Sequence, residues 1–318
     1  MIDPVRPIAI EDIEAARARI AGTVLRTPLV RIDLGDGRDI RLKLENLQPT
    51  NAYKIRGGAN AVAALSDEQR ARGVWTISAG NAGQGVAYAA RAFGIPCTVV
   101  AIESAPKTKL DRMRALGAKI LPVSYEQAWI AAEAHEFAGA EGTFVHPFDS
   151  HDFIAGHGTM GLEILEDCPD VGTVICAIGG GGLITGVGSA IKARRPEARV
   201  LGAEPETAAP YALSLTKGSP QKFAEWQASF VDGAGGQSVT GRMWLRMQPV
   251  VDGAITVTLD QTADAMRLIA EKTRTIAEGA GALSLAAAIS DQTLEGPIVG
   301  VVSGGNIDLR KFAELIAP

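Results

Sequence analysis

Four consecutive glycines, Gly179, Gly180, Gly181 and Gly182, constrain this chain more than any other feature. They lie within residues 171–191, a stretch without a charged side chain. Such a length could span a bilayer, which takes about 20 apolar residues in a helix. Gly172, Gly186 and Gly188 fall in the same stretch, and each glycine in a helix interior costs about 1 kcal/mol relative to alanine. The better reading is a buried strand over 173–178, a glycine loop, and a helix over 183–192. Amides unobstructed by Cβ atoms at a helix start suit an anion. A dinucleotide fingerprint needs glycine at i, i+2 and i+5, but the i+5 positions here are Ile184 and Thr185. No Gly-x-x-x-x-Gly-Lys-Ser/Thr occurs either. The loop therefore fits the single phosphate of a smaller ligand, with a bare turn as the alternative.

The rest of the chain has a compatible rhythm. Short apolar runs at 74–78, 97–102, 119–123, 143–146, 173–178, 199–203 and 297–303 alternate with helical spacing at 84–93, 107–116 and 125–138. Strand–helix alternation with β-branched strands predicts α/β architecture: open, mainly parallel sheets flanked by helices on both faces. Leu42 and Leu44 alternate with Arg41, Lys43 and Glu45, which reads as a half-exposed strand. At about 150 residues per domain, 318 residues suggest two domains. The strand–helix units before His146 form the natural insertion. The expected division is a large domain of 1–66 and 147–318 with a small inserted domain of 67–146. A cleft between two sheets is where α/β ligands bind.

Composition narrows the function. Charged residues make up 21% and hydrophobic residues 47%, with a net charge of −5. No like-charge block suggests a nucleic-acid arm. Cys97, Cys168 and Cys176 form neither an even set nor a Cys-x-x-Cys pair, which fits a reducing compartment. The first 22 residues carry Asp3, Glu11, Asp12 and Glu14 rather than a basic, then apolar, export signal. The expectation is a soluble cytoplasmic protein that acts on a small molecule, not on nucleic acid or a membrane.

Three further motifs sit where strands end or helices begin. Lys54, in Asn51-Ala52-Tyr53-Lys54-Ile55-Arg56-Gly57-Gly58, opposes the macrodipole of the helix it opens, predicted to run to Leu65. It could supply a Schiff-base amine or simply be a solvated helix start. Ser78-Ala79-Gly80-Asn81-Ala82-Gly83-Gln84-Gly85 follows a predicted strand and reads as an anion nest or a tight turn. Ser303-Gly304-Gly305-Asn306 follows the last strand and could aim a hydroxyl into the same cleft. His135, His146, His151 and His157 lack metal-ligand spacing, so no metal is expected. The basic run Lys192-Ala193-Arg194-Arg195 reads as a solvated helix end. There is no Gly-x-Ser-x-Gly elbow.

In this order the pieces resemble the fold-type II pyridoxal-phosphate enzymes (tryptophan synthase β-like), in particular the serine/threonine dehydratase and serine racemase group. The resemblance runs over nearly the whole chain. It takes in Arg26-Thr27-Pro28-Leu29, Lys43-Leu44-Glu45-Asn46-Leu47-Gln48, His146-Pro147-Phe148-Asp149 and Ala155-Gly156-His157-Gly158-Thr159. It continues through Ala203-Glu204-Pro205 and Glu278-Gly279-Ala280-Gly281-Ala282. It implies that Lys54 holds pyridoxal 5'-phosphate as a Schiff base and acts as the base at Cα. Gly179, Gly180, Gly181 and Gly182 would cradle the phosphate, Asn81 would bond the ring hydroxyl, and Ser303 would face the pyridine nitrogen. Ser78, Ala79, Gly80 and Asn81 would receive the substrate carboxylate. A homodimer is also implied.

The implied reaction is β-elimination of a β-hydroxy amino acid such as L-serine or L-threonine, giving a 2-oxo acid and ammonia. Serine at the ring nitrogen, in place of a carboxylate, favours prompt loss of a β-substituent over transamination. Departures from the family pattern refine this. Ala79 stands where racemases carry a second serine, so racemisation should be poor. Ala82 replaces a common histidine and leaves room for a bulkier 3-hydroxy amino acid, while Ala52 and Tyr53 replace the common Ser and Phe. Glu204 and Ala208 match a cation site of racemase-like members, but Pro210 replaces its acid. Arg242 and Trp244 are placed in a loop near the cofactor. The chain ends at Pro318, without the regulatory domain of longer threonine deaminases. Rival readings are cysteine-synthase-like β-replacement, racemisation, a non-catalytic binding module and, last, a nicotinamide dehydrogenase.

Overall fold

The computed structural model describes residues 4–317 apart from 104 and 106, and leaves the side chain of residue 133 undescribed. Ten strands form two sheets among these residues. They are β1 (Leu29–Ile32), β2 (Ile40–Leu44), β3 (Val74–Ile77), β4 (Cys97–Ile102), β5 (Lys119–Val123), β6 (Thr143–Phe144), β7 (Thr173–Ala177), β8 (Arg199–Pro205), β9 (Gly253–Val257) and β10 (Ile298–Val302). One sheet has the order β1-β2-β10-β7-β8-β9, the other β5-β4-β3-β6. Only the β1–β2 pair is antiparallel; all other pairings are parallel.

The period-2 geometry of a strand explains both cores of the six-stranded sheet. Val174 and Cys176 of β7 face one core with Val200, Val299 and Val301, against helices Ile10–Ile20, His151–Asp167 and Gly182–Arg194. Ile175 and Ala177 face the opposite core with Leu201 and Ile298, beneath helices Leu259–Thr273 and Gly279–Ser290. Covered on both sides, β10 is apolar throughout and β7 at every position after Thr173, as a central parallel strand requires. The four-stranded sheet repeats the pattern. Val74 and Val99 pack toward helices Lys54–Ala63 and Asn81–Ala92, while Trp75 and Val100 pack toward Ala128 of helix Tyr125–Ala134.

Several expectations are corrected. β2 is not half-exposed: it lies between β1 and β10, and Lys43 and the following Glu45 are fully buried in an ion-pair network. The helix predicted over 125–138 stops at Ala134, because His135 takes left-handed angles with φ 58°. The run at 143–146 pairs only Thr143 and Phe144 with β3. The Lys54 helix ends at Ala63 rather than Leu65. β1 and β9, at the two edges of the larger sheet, had no reading in the sequence.

Candidate active site

Lys54 opens helix Lys54–Ala63, which packs tightly against helix Asn81–Ala92. Gly58 and Gly85 make this approach possible: a Cβ on Gly85 would lie 2.7 Å from the Lys54 carbonyl oxygen. The Lys54 amine donates to the Pro147 carbonyl at 2.7 Å and lies 5.3 and 5.4 Å from the ring centres of Tyr53 and Phe153. Burial without a carboxylate partner pushes its pKa down to about 7. A lysine in that range has a large neutral, nucleophilic fraction near pH 7.

The helix start is held rigidly from below. Arg56 is fully buried and forks between two carboxylates, with Nε and Nη2 each 2.8 Å from Glu45 and Nη1 and Nη2 each 2.8 Å from Glu163. Lys43 pairs with Glu163 at 2.6 Å and donates to the Thr27 carbonyl. Thr27 and Gln48 donate to Glu45. Two cations thus meet two anions, which is how buried charge is tolerated. His157 lies between Tyr53 and Phe153, with centroids at 4.6 and 4.9 Å. Its burial drives its pKa well below the usual imidazole range.

Gly179, Gly180, Gly181 and Gly182 follow β7 and lead into helix Gly182–Arg194, which has no side-chain cap. Its first N–H groups therefore have no intrahelical partner. Side chains are excluded throughout the run. A Cβ on Gly180 would run into the Phe148 ring, and one on Gly182 would lie 2.8 Å from the Phe148 carbonyl oxygen. Gly181 has φ 86°, a region closed to most residues with a side chain. The glycines share one crevice with Tyr53, Lys54, Gly233 and Ser303. Ser303, at the end of β10, is buried and donates to the Ala280 carbonyl at 3.3 Å. Its own carbonyl accepts from the Tyr53 amide at 2.9 Å, which joins the end of β10 to the lysine loop.

Asn81 begins helix Asn81–Ala92 and is gripped at both ends. Its Nδ2 donates to Glu278 at 2.6 Å, and its Oδ1 accepts from Asn306 at 2.8 Å. Glu278 adjoins Gly304, whose carbonyl accepts from the Glu278 amide at 3.0 Å. Burial raises the Glu278 carboxyl to about 7, and Asp232 adds to the rise. Ser78 and Ala79 line a separate cavity of about 570 Å³, whose wall includes Pro147 and Phe148. The Gly80 amide is engaged by the Ser78 hydroxyl at 3.0 Å.

The structure thus brings Lys54, the four glycines and Ser303 together, with Asn81 linked through Glu278 to Gly304. Ser78 and Ala79 line the other cavity, which shares with this crevice only the neighbourhood of Pro147, the acceptor of the Lys54 amine. Arg242 lies on that cavity's wall and Trp244 is buried in the core behind it. Glu204 accepts from the amides of Tyr211 and Ala212 at 3.0 and 2.8 Å, so its carboxyl closes the first turn of helix Pro210–Lys217. Sequence reasoning assigned no role to Pro147, Phe148, Glu278 or Asn306. The first three lie in strings already visible as family-like, and Asn306 closes the Ser303 motif.

A depressed lysine facing a side-chain-free anion cradle at the carboxyl end of a parallel sheet defines an enzyme built around a phosphorylated carbonyl cofactor. The donor set fits pyridoxal phosphate: an amine with a lowered pKa, the amides of an uncapped helix start and a hydroxyl line one crevice. The family model for pyridoxal-phosphate dependent enzymes matches residues 20–304. The chain is 40% identical to the L-threonine ammonia-lyase of Thermotoga maritima over 97% of its own length and 78% of that protein's. It is 37% identical to a catabolic L-threonine dehydratase of Staphylococcus aureus over 97% of this chain and 92% of that one. Among solved structures, maize serine racemase superposes with a TM-score of 0.89 at 36% identity, covering 97% of each chain. This chain belongs to the pyridoxal-phosphate dependent enzymes, in the fold-type II group of the serine/threonine dehydratases.

Proposed function

We propose that the protein is an ammonia-lyase that removes water from a β-hydroxy amino acid, L-threonine or L-serine by default, to give a 2-oxo acid and ammonia. The observation that carries this reading is the placement of the Lys54 amine, its pKa lowered by burial, in the glycine-lined crevice. The likeness to L-threonine ammonia-lyase and L-threonine dehydratases supports it.

When bound, pyridoxal phosphate supplies the electron sink for the pair released at Cα. Gly179, Gly180, Gly181 and Gly182 bind its phosphate through backbone N–H groups. Lys54 would hold the cofactor through its amine, and its Nζ would take the Cα proton. Ser303 would hold the ring nitrogen and Asn81 the ring hydroxyl, with Glu278 and Asn306 fixing the Asn81 amide. The turn of Ser78, Ala79, Gly80 and Asn81 receives the substrate carboxylate. Ala79 carries no proton for the opposite face of Cα, so racemisation is poor.

The chain divides into a large domain, 1–66 and 147–318, and a small domain, 67–146, whose approach excludes water from the cleft. The protein works as a homodimer in the cytoplasm; three buried, free thiols suit a reducing compartment. Among the described residues no helix is long and apolar enough to cross a membrane.

The test is to incubate the purified holoprotein with L-threonine and L-serine and to measure 2-oxo acid and ammonia together. Equal amounts of both are expected, and Lys54→Ala abolishes turnover. A thiol adduct in place of the 2-oxo acid, or full activity in the variant, overturns the reading.

A further inference from the structure

The cavity in front of Ser78 and Ala79 is much larger than a hydroxymethyl or hydroxyethyl side chain needs. It measures about 570 Å³, within the range of pockets that enclose whole small ligands. Its position ties it to the chemistry, because Pro147 is both part of its wall and the acceptor of the Lys54 amine. Beyond Ser78 and Ala79 most of the wall is apolar, with Val100 and Ile102 of β4, Phe148, and Ala128, Trp129 and Ala132 of helix Tyr125–Ala134; Tyr125, His135, His146, Asp149, Thr240 and Arg242 are its polar members. That helix is firmly started, since Ser124 and Gln127 cap one another reciprocally. Its alanines keep the space open, and Trp129 lines it while 42% exposed.

Asp149, Arg242 and His146 among these polar members are already committed. Asp149 takes the Nε of Arg242 at 2.5 Å and that of Arg246 at 3.0 Å. His146 accepts from the amides of Phe148 and Asp149 at 3.3 and 2.9 Å through Nδ1, and it meets the Phe148 ring edge-on at 4.5 Å. An imidazole accepting at Nδ1 is neutral, and burial holds its pKa down at about 3. Between these groups the wall presents mainly rings and methyl groups.

We propose that this cavity receives the Cβ substituent of the substrate, and that the preferred substrates are 3-hydroxy amino acids bearing an aromatic or large branched apolar group. The inference rests on the lyase reading above and names the substrate class of that site. For 3-phenylserine the Cα–H and Cβ–O bonds break, a carbon–carbon double bond forms, and the hydroxyl leaves as water with the released proton. Hydrolysis of the freed enamine consumes one water and gives phenylpyruvate and ammonia. The water lost is regained, and no oxidant or reductant enters.

The experiment compares kcat/KM of the holoprotein for L-threo-3-phenylserine, L-threonine, L-serine and 3-hydroxyaspartate, read as 2-oxo acid. Phenylserine is expected to exceed threonine by about tenfold or more, the scale on which an apolar pocket discriminates. Turnover of threonine or serine with phenylserine at or below them overturns this inference and leaves the lyase reading standing. Preference for 3-hydroxyaspartate also overturns it, since the cavity would then select charge.

Absence of 2-oxo acid from all four sinks the lyase reading instead, and binding then judges the cavity alone. L-phenylalanine and L-alanine have no β-hydroxyl to lose. Calorimetric titration of the holoprotein is expected to show L-phenylalanine bound about tenfold more tightly, and equal affinity overturns the inference. Ala132→Phe fills the space and should cut the phenylalanine-to-alanine affinity ratio by about tenfold, with thermal unfolding confirming that the variant folds. A ratio that does not move in the folded variant overturns the placement.

Discussion

The Asn81 side-chain amide donates to the Glu278 carboxyl at 2.6 Å, joining the helix after β3 to the helix that packs beneath β10. Each residue constrains the other. Asn81 is oriented by an acceptor that is buried, and Glu278 has its carboxyl raised to about 7, first by burial and then by Asp232. This contact between the two sheets sits beside the proposed cofactor site.

Stability should report this carboxyl. A group raised from 4.5 to about 7 binds its proton more tightly in the folded state, so its contribution is complete below pH 4.5 and falls away as pH rises to about 7. Glu278→Gln keeps an acceptor for Asn81 and removes the titration. Unfolding of the cofactor-free protein at pH 5 and pH 8 should show a smaller loss in the variant, by about 1–3 kcal/mol. An unchanged pH profile would mean that Glu278 is ionised in the fold. Glu204, also raised to about 7 by burial, leaves a residual slope of the same sign.

Lys54 should make cofactor capture depend on pH near neutrality. Its amine is nucleophilic only when neutral. With the pKa lowered to about 7, the initial rate at which the cofactor-free protein takes up pyridoxal phosphate should rise from pH 6 to 7 and level off above about 8. Stopped-flow absorbance in the near visible gives that rate. A rate still climbing at pH 10 would show an ordinary, solvated lysine.

Arg56 should matter to stability far more than its motif suggests. Its removal strands Glu45 and Glu163 in the interior with Lys43 as the one remaining cation of the pairings. Arg56→Met should cost about 3–5 kcal/mol, the scale for breaking one side of a buried ion pair. Denaturant unfolding measures it. A loss under 1 kcal/mol would show that the network has access to water.

Gly180→Ala should weaken cofactor retention at least tenfold, because the added Cβ meets the Phe148 ring and displaces the loop. Equilibrium titration with pyridoxal phosphate checks this. The double variant Gly180→Ala with Phe148→Ala should recover part of the loss, since the clash partner is then gone. No recovery would assign the effect to the backbone alone.

The glycine run, the β-branched strands and the lysine at a helix start were legible because each is a local pattern. Seven apolar runs marked strands of the two sheets, since strands covered on both faces lose the polar alternation that would disguise them. β1 and β9 escaped because Leu29–Ile32 and Gly253–Val257 are short segments interrupted by Arg31 or opened by Gly253 and Ala254, so neither stood out as an apolar run. Lys43 and Glu45 were misread for a related reason: charge in a sequence predicts exposure unless the opposite charges are known to be near. Their partners, Glu163 and Arg56, lie on other elements.

The sequence alone determined the alternating architecture, the side-chain-free glycine loop after a buried strand and the family to which the chain belongs, since these depend on spacing along the backbone. Tertiary structure decided the rest. Only the fold sets Lys54 against the Pro147 carbonyl without a carboxylate, a placement that depresses its pKa. Packing of the Lys54 helix on the Asn81 helix at Gly58 and Gly85 brings residues from distant parts of the chain to one crevice. The wide apolar cavity beside it arises where β4 and helix Tyr125–Ala134 face Pro147 and Phe148. Charge pairing, desolvation and cavity shape depend on distance in space, and separation along the chain carries no record of that.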